Sequence, residues 1–147
     1  FAAATCIITP SSKTPPTLRR RASGLWKSLG MKTIEMSPAR HDQVVARISH
    51  LPHLLSAALM LLPKDDDLAA AAGGFKDMTR ISGGDVEMWR GILLTNKQNI
   101  LAALDAYEKR LRETRRIIAA ADVSAIERNL IKAQLRRRLF VNGNLNR

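Results

Sequence analysis

The chain has 147 residues, of which 46% are apolar, 25% charged and 4% aromatic; this suits one soluble domain, or one domain with a remnant of another, with a core of Leu, Ile, Val, Ala and Met. The single cysteine, Cys6, excludes an internal disulfide and a cysteine-built zinc site, and the longest strongly apolar stretch, residues 54–63, is far too short to span a bilayer. Net charge is +11, spread as +6 over residues 1–40 (seven basic, one acidic), −3 over 41–108 (six, nine) and +8 over 109–147 (eleven, three). Basic ends of this kind are more often solvated helix faces than nucleic-acid surfaces. The N-terminus lacks a signal-peptide pattern, so the expected compartment is the cytoplasm.

Residues 4–9 read as a short buried strand stopped by Pro10. A Ser/Thr/Pro link follows, then a helix over 17–29 with Gly30 as its C-terminal cap. Residues 31–36 alternate as a second strand. The result is one βαβ unit, and two strands alone do not make a stable sheet. Ser37-Pro38 is a helix start, with apolar residues at helical spacing from there to Leu62 and a kink expected at Pro52. Beyond Leu54 this helix is apolar on more than one side, which predicts burial in a bundle or a dimer interface. Asp67 is expected to cap a short Ala-rich helix ending at Gly73-Gly74. Residues 75–81 fit one or two turns, Ser82-Gly83-Gly84 break the chain, and Asp85 is the expected cap of one long helix to about Ala121. A basic last helix covers 122–140, ended by residues 142–144. The pattern is mainly α, with a boundary near residue 36: a βαβ remnant over 1–36 and a helical domain over 37–147.

Several polar groups stand where a plain bundle would place apolar ones. His50 and His53 share a helix face beside Pro52 and could bind a hydroxyl or carboxylate; buried, hydrogen-bonded histidines or a metal site are the other readings. Lys76 and Arg80 are four apart after Gly73-Gly74, so they form either a carboxylate receptor or ion pairs with Asp77, Asp85 or Asp65–Asp67. Trp89 reads as a core anchor or a ligand contact, and Arg90 as a surface or interface charge. Asn96-Lys97 interrupt the apolar stripe of the long helix, either bonding across an interface or solvated. There is no glycine-rich phosphate loop and no legible Ser-His-Asp arrangement.

The strings Ser49-His50-Leu51-Pro52-His53, Gly73-Gly74-Phe75-Lys76-Asp77 with Thr79-Arg80-Ile81, and Met88-Trp89-Arg90 with Asn96-Lys97 stand in fixed order. Together they resemble the prephenate dehydrogenase family, which includes arogenate-specific and cyclohexadienyl enzymes; the likeness covers about residues 1–112. The resemblance implies a helical dimerisation domain of the 6-phosphogluconate dehydrogenase C-terminal type, behind the last strands of a Rossmann domain. It implies oxidative decarboxylation of prephenate to 4-hydroxyphenylpyruvate in tyrosine biosynthesis, with NAD or NADP bound mainly by an N-terminal domain. It also implies a homodimer through the long helices and a small dianionic substrate. On this resemblance His53 contacts substrate, Arg80 binds a carboxylate and His50 supports the pocket, with Lys76 counted beside Arg80 among the substrate-binding residues. Gly73 and Gly74 open the backbone beside the ligand, and Trp89 shapes this site or its neighbour's. The family's catalytic histidine and glycine-rich fingerprint have no counterpart here, so this chain by itself is expected not to catalyse hydride transfer. Gly91, Val86 and Ala72 depart from the family pattern. A non-catalytic helical dimerisation or anion-binding module, an arogenate-specific enzyme and a basic nucleic-acid binder are the alternatives.

Overall fold

The structure, a computed structural model, describes residues 4–143; Asn144, the end of the last expected turn, lies outside them. Two compact units divide the chain, residues 1–103 and 104–147.

The first unit opens with β1 (Thr5–Ile8), α1 (Pro16–Ser28) and β2 (Lys32–Glu35). The strands pair in parallel, Thr5 opposite Lys32 and Ile8 opposite Glu35, and form the only sheet among the described residues. α1 starts at Pro16, where the missing N–H costs nothing. It ends at Gly30, whose φ of 78° lets the Met31 N–H reach back to the Trp26 carbonyl. Ser23 and Thr33 share a hydroxyl hydrogen bond of 3.0 Å, and Arg19 donates to both carboxylate oxygens of Glu35, so the helix is tied to β2.

A helical column follows: α2 (Pro38–Val45), a π turn (Ala46–His50) and α3 (Leu51–Met60). Ser37 caps it, accepting from the Arg40 N–H at 3.2 Å. The distortion expected from Pro52 takes the form of the π turn just before it. Proline has no N–H for the Ile48 carbonyl, and its ring would crowd that oxygen. One extra residue in the turn relieves both problems, and the Leu51 N–H bonds to the Ala46 carbonyl, five residues back.

The next segment differs from expectation. α4 spans only Asp65–Leu68, and Asp67 lies in its first turn, accepting from the Lys64 N–H at 2.9 Å. The Ala run 69–72 leaves the helix, and Ala72 is extended (φ −98°, ψ −175°) as the lead-in to α5 (Gly73–Thr79). Gly73-Gly74 therefore begin a helix instead of ending one. A 3₁₀ turn (Arg80–Gly83) follows and packs on α3. Asp85 caps α6 (Val86–Thr95) through the Met88 N–H at 2.7 Å.

The long helix is not continuous. It breaks at Asn96 (φ −108°, ψ 23°), and α7 (Lys97–Ala119) starts anew. The cause is tertiary: the Asn96 side chain is buried and bonded to the α2–π-turn column. The core of this unit combines Ala46, Leu51, Ile100 and Ala103 with the buried polar residues His53, Ser56, Thr79 and Asn96.

The second unit holds the rest of α7 and α8 (Val123–Val141). Ala121 takes a left-handed φ of 48° at the turn, and Asp122 caps α8 through the Ala125 N–H at 2.9 Å. No α8 residue is buried. Among the described residues no helix is long and apolar enough to cross a membrane.

Candidate functional site

His53 is the centre of the site. It follows Pro52 in the first turn of α3, is 8% exposed, and lies flat on the Trp89 indole, with ring centroids 3.5 Å apart and planes 8° from parallel. His50, the last residue of the π turn, meets the same indole edge-on at 6.1 Å and 88°. The shared helix face thus places two imidazoles around one tryptophan.

Gly84 makes the stack possible. A Cβ there would fall 2.5 Å from Trp89 Nε1, 2.9 Å from its Cδ1 and 3.0 Å from His53 Cε1. Sequence reasoning missed this residue and named Gly73 and Gly74, where a Cβ meets nothing within 4 Å. The position of Gly84 just before a helix cap was its only sequence signal.

His53, Trp89 and Gly84 open on a cleft of about 390 Å³, completed by Ser82, Arg90 and the apolar side chains of α6, chiefly Leu93 and Leu94. The lining combines the imidazole and indole rings with aliphatic side chains, a largely apolar surface. Arg80 starts the 3₁₀ turn that supplies Ser82; it is exposed, and no ion pair holds it among the described residues. Lys76 is likewise exposed and unpaired, so the pairings considered with Asp77, Asp85 and Asp65–Asp67 are not formed. Arg90 pairs with Glu87 at 3.0 Å. Of the predicted site residues only His53 and Trp89 line the cleft: His50 meets Trp89 from beside it, Arg80 stands at the start of the neighbouring 3₁₀ turn, Gly74 lines a second groove of about 380 Å³ with Pro63, Leu68 and Phe75, and Gly73 and Lys76 sit on α5.

Electrostatics favours neutral imidazoles here. Burial pushes the His53 pKa down. His50 is pushed down by burial and by nearby His41, with Asp42 opposing. Among the described residues no cluster of three metal-ligating side chains includes them. Asn96, buried at the α6–α7 break, donates from Nδ2 to the Asp42 carbonyl at 2.8 Å and lies 3.3 Å from His50 Nδ1, while its Oδ1 accepts from Asn99 at 2.8 Å.

Residues 37–132 match the family described as prephenate dehydrogenase, dimerization domain. The chain belongs to the prephenate dehydrogenase family. It is 34% identical over 128 residues to the prephenate dehydrogenase of Bacillus subtilis, a match over 83% of this chain and 34% of that protein. Among solved structures it resembles Synechocystis arogenate dehydrogenase, with a TM-score of 0.83 and 30% identity over 95% of this chain and 53% of that one. It also resembles the A. aeolicus prephenate dehydrogenase solved with hydroxyphenyl propionate and NAD+, with a TM-score of 0.82 and 32% identity over 92% of this chain and 50% of that one. The chain therefore spans about a third of its Bacillus relative and about half of these solved family members. The mainly helical fold read from the sequence is the fold of this family's dimerization domain.

Proposed function

We propose that this chain is the substrate-binding and dimerising part of an NAD(P)-dependent prephenate dehydrogenase of tyrosine biosynthesis, with residues 1–36 belonging to its Rossmann domain and 37–147 to its helical domain. The observation that carries the reading is the His53–Trp89 stack over an aliphatic cleft, one 3₁₀ turn from the unpaired Arg80. Prephenate is a compact ring bearing two carboxylates. The cleft would take the ring, and the guanidinium fork of Arg80 would take a carboxylate. His53 and His50, kept neutral by burial, would serve as hydrogen-bond partners for substrate oxygens instead of as fixed charges.

The link between β1 and α1, residues 9–15, contains no glycine. That crossover therefore lacks the glycine-rich phosphate-binding fingerprint of a dinucleotide site. We assign no hydride-transfer step to this chain's residues.

The second unit supports dimerisation. Leu111, Ile118, Leu130, Ile131, Leu135 and Phe140 are each 51–65% exposed, a density of open apolar side chains that calls for a covering surface. A second copy of the helical domain is the proposed cover, and the cytoplasm is the proposed setting.

Calorimetric titration of prephenate into the chain tests the reading. Saturable binding is expected, and Arg80→Ala should weaken it about tenfold or more, the loss of one charge-assisted pair. Unchanged affinity in that variant would contradict the assignment. The Synechocystis relative favours arogenate as a second substrate reading, which a parallel arogenate titration separates. Sedimentation should give a dimer at micromolar concentration; a monomer would contradict the dimer proposal.

A further inference from the structure

The buried amide of Asn96 can sit only one way round. The Asp42 carbonyl oxygen, 2.8 Å from it, can only accept, so the atom facing that oxygen is the NH₂ nitrogen. The carboxamide oxygen is turned to Asn99, whose Nδ2 donates to it at 2.8 Å. The same NH₂ nitrogen lies 3.3 Å from His50 Nδ1. It has a second hydrogen to give and no lone pair to offer, so Nδ1 must be the bare, accepting nitrogen. A neutral imidazole in this position carries its proton on Nε2.

We propose that Asn96 is a positioning residue that locks His50 as the neutral Nε2–H tautomer, so that His50 presents an N–H donor on the side of its ring turned away from Asn96. The groups around His50 agree with this. From α2, His41 and Asp42 form their own pair at 2.9 Å, so the Asp42 carboxylate is engaged. From α6 the Trp89 indole meets His50 edge-on and stacks on His53, the neighbouring imidazole on α3. Burial and His41 both oppose a charge on His50. Protonating Nδ1 would set two donors face to face.

The lock also gives the α6–α7 break a purpose. An unbroken helix would carry residue 96 on regular helical geometry; the break turns its amide into the column between Asp42 and His50. The donor's use on a substrate oxygen rests on the prephenate reading, whereas the tautomer does not.

The test is ¹⁵N-resolved imidazole spectroscopy of the full 147-residue chain above the imidazole titration range. The expected His50 spectrum has an unprotonated Nδ1 and a protonated Nε2. Asn96→Asp, which sets a carboxylate oxygen opposite Nδ1, should move the proton to Nδ1 or raise the His50 pKa. Asn96→Ala should give a mixture of tautomers and weaken prephenate about tenfold. A protonated Nδ1 in the parent chain overturns the proposal even if neither variant folds. An unchanged tautomer together with an unchanged His50 pKa in a folded Asn96→Asp chain also overturns it. A correct tautomer in a chain that does not bind prephenate would sink the substrate reading and leave the lock standing.

Discussion

At Gly84 the backbone is extended, φ −70° and ψ 162°, a conformation open to any residue. Space is what demands glycine there. A methyl group must push the Trp89 indole away from the chain and off the His53 ring. Gly84→Ala is therefore expected to destabilise the fold by about 1–3 kcal/mol, the usual cost of overpacking, and to lower prephenate affinity. In a Trp26→Phe background, the fluorescence of Trp89 should report the lost stack; an unchanged spectrum with unchanged affinity would contradict the role given to Gly84. Much of this cluster was legible in the sequence. The His50–His53 spacing and the resemblance at Trp89 both pointed to it. Gly84 was not legible, because its requirement arises from two rings that reach it from other parts of the chain. Asn96 was noticed as a break in an apolar stripe, but its partners, the Asp42 carbonyl and His50, are set by tertiary structure.

The elements follow local chemistry where local chemistry decides. Ser37 and Asp85 start their helices as the sequence indicates, because a side-chain oxygen satisfies an orphan N–H within one turn. Pro52 distorts its helix for the same local reason, although the sequence could not say that a π turn would absorb the strain. The break at Asn96 lies beyond such reasoning, since nothing within one turn requires it. The α2–π-turn–α3 column also predicts a pH response. His50 and His53 have pKa values lowered in the fold, so the unfolded chain binds more protons between their ordinary value near 6.5 and the lower folded values. Stability should be level above that range, fall as pH drops below about 6.5, and level off for these groups once both states are protonated. Urea unfolding at a series of pH values checks the sign; stability that rises on acidification through this window would contradict it.

At the scale of the whole molecule, the exposed apolar side chains are as informative as the buried ones. α8 is open along its length, and Leu61 and Leu62 after α3 are 85% and 79% exposed. For Leu61 and Leu62 the sequence showed this as a helix apolar on more than one side beyond Leu54, whereas α8 read only as a basic helix and its open apolar side chains were not foreseen. Charge is distributed with the same logic: the mildly acidic middle of the chain holds the cleft, while the excess of basic residues lies toward the ends. On α5 and the 3₁₀ turn that leads to the cleft, Lys76 and Arg80 are exposed and form no ion pair among the described residues, so they are local positive charge in an otherwise acidic stretch. The most direct test of the account is chemical-shift mapping of the chain as prephenate is added. The account predicts saturable shifts concentrated at His53, Arg80, Ser82, Gly84 and Trp89. Shifts confined to the groove of Pro63, Leu68 and Phe75 or to the basic face of α8, or none at all, would contradict it.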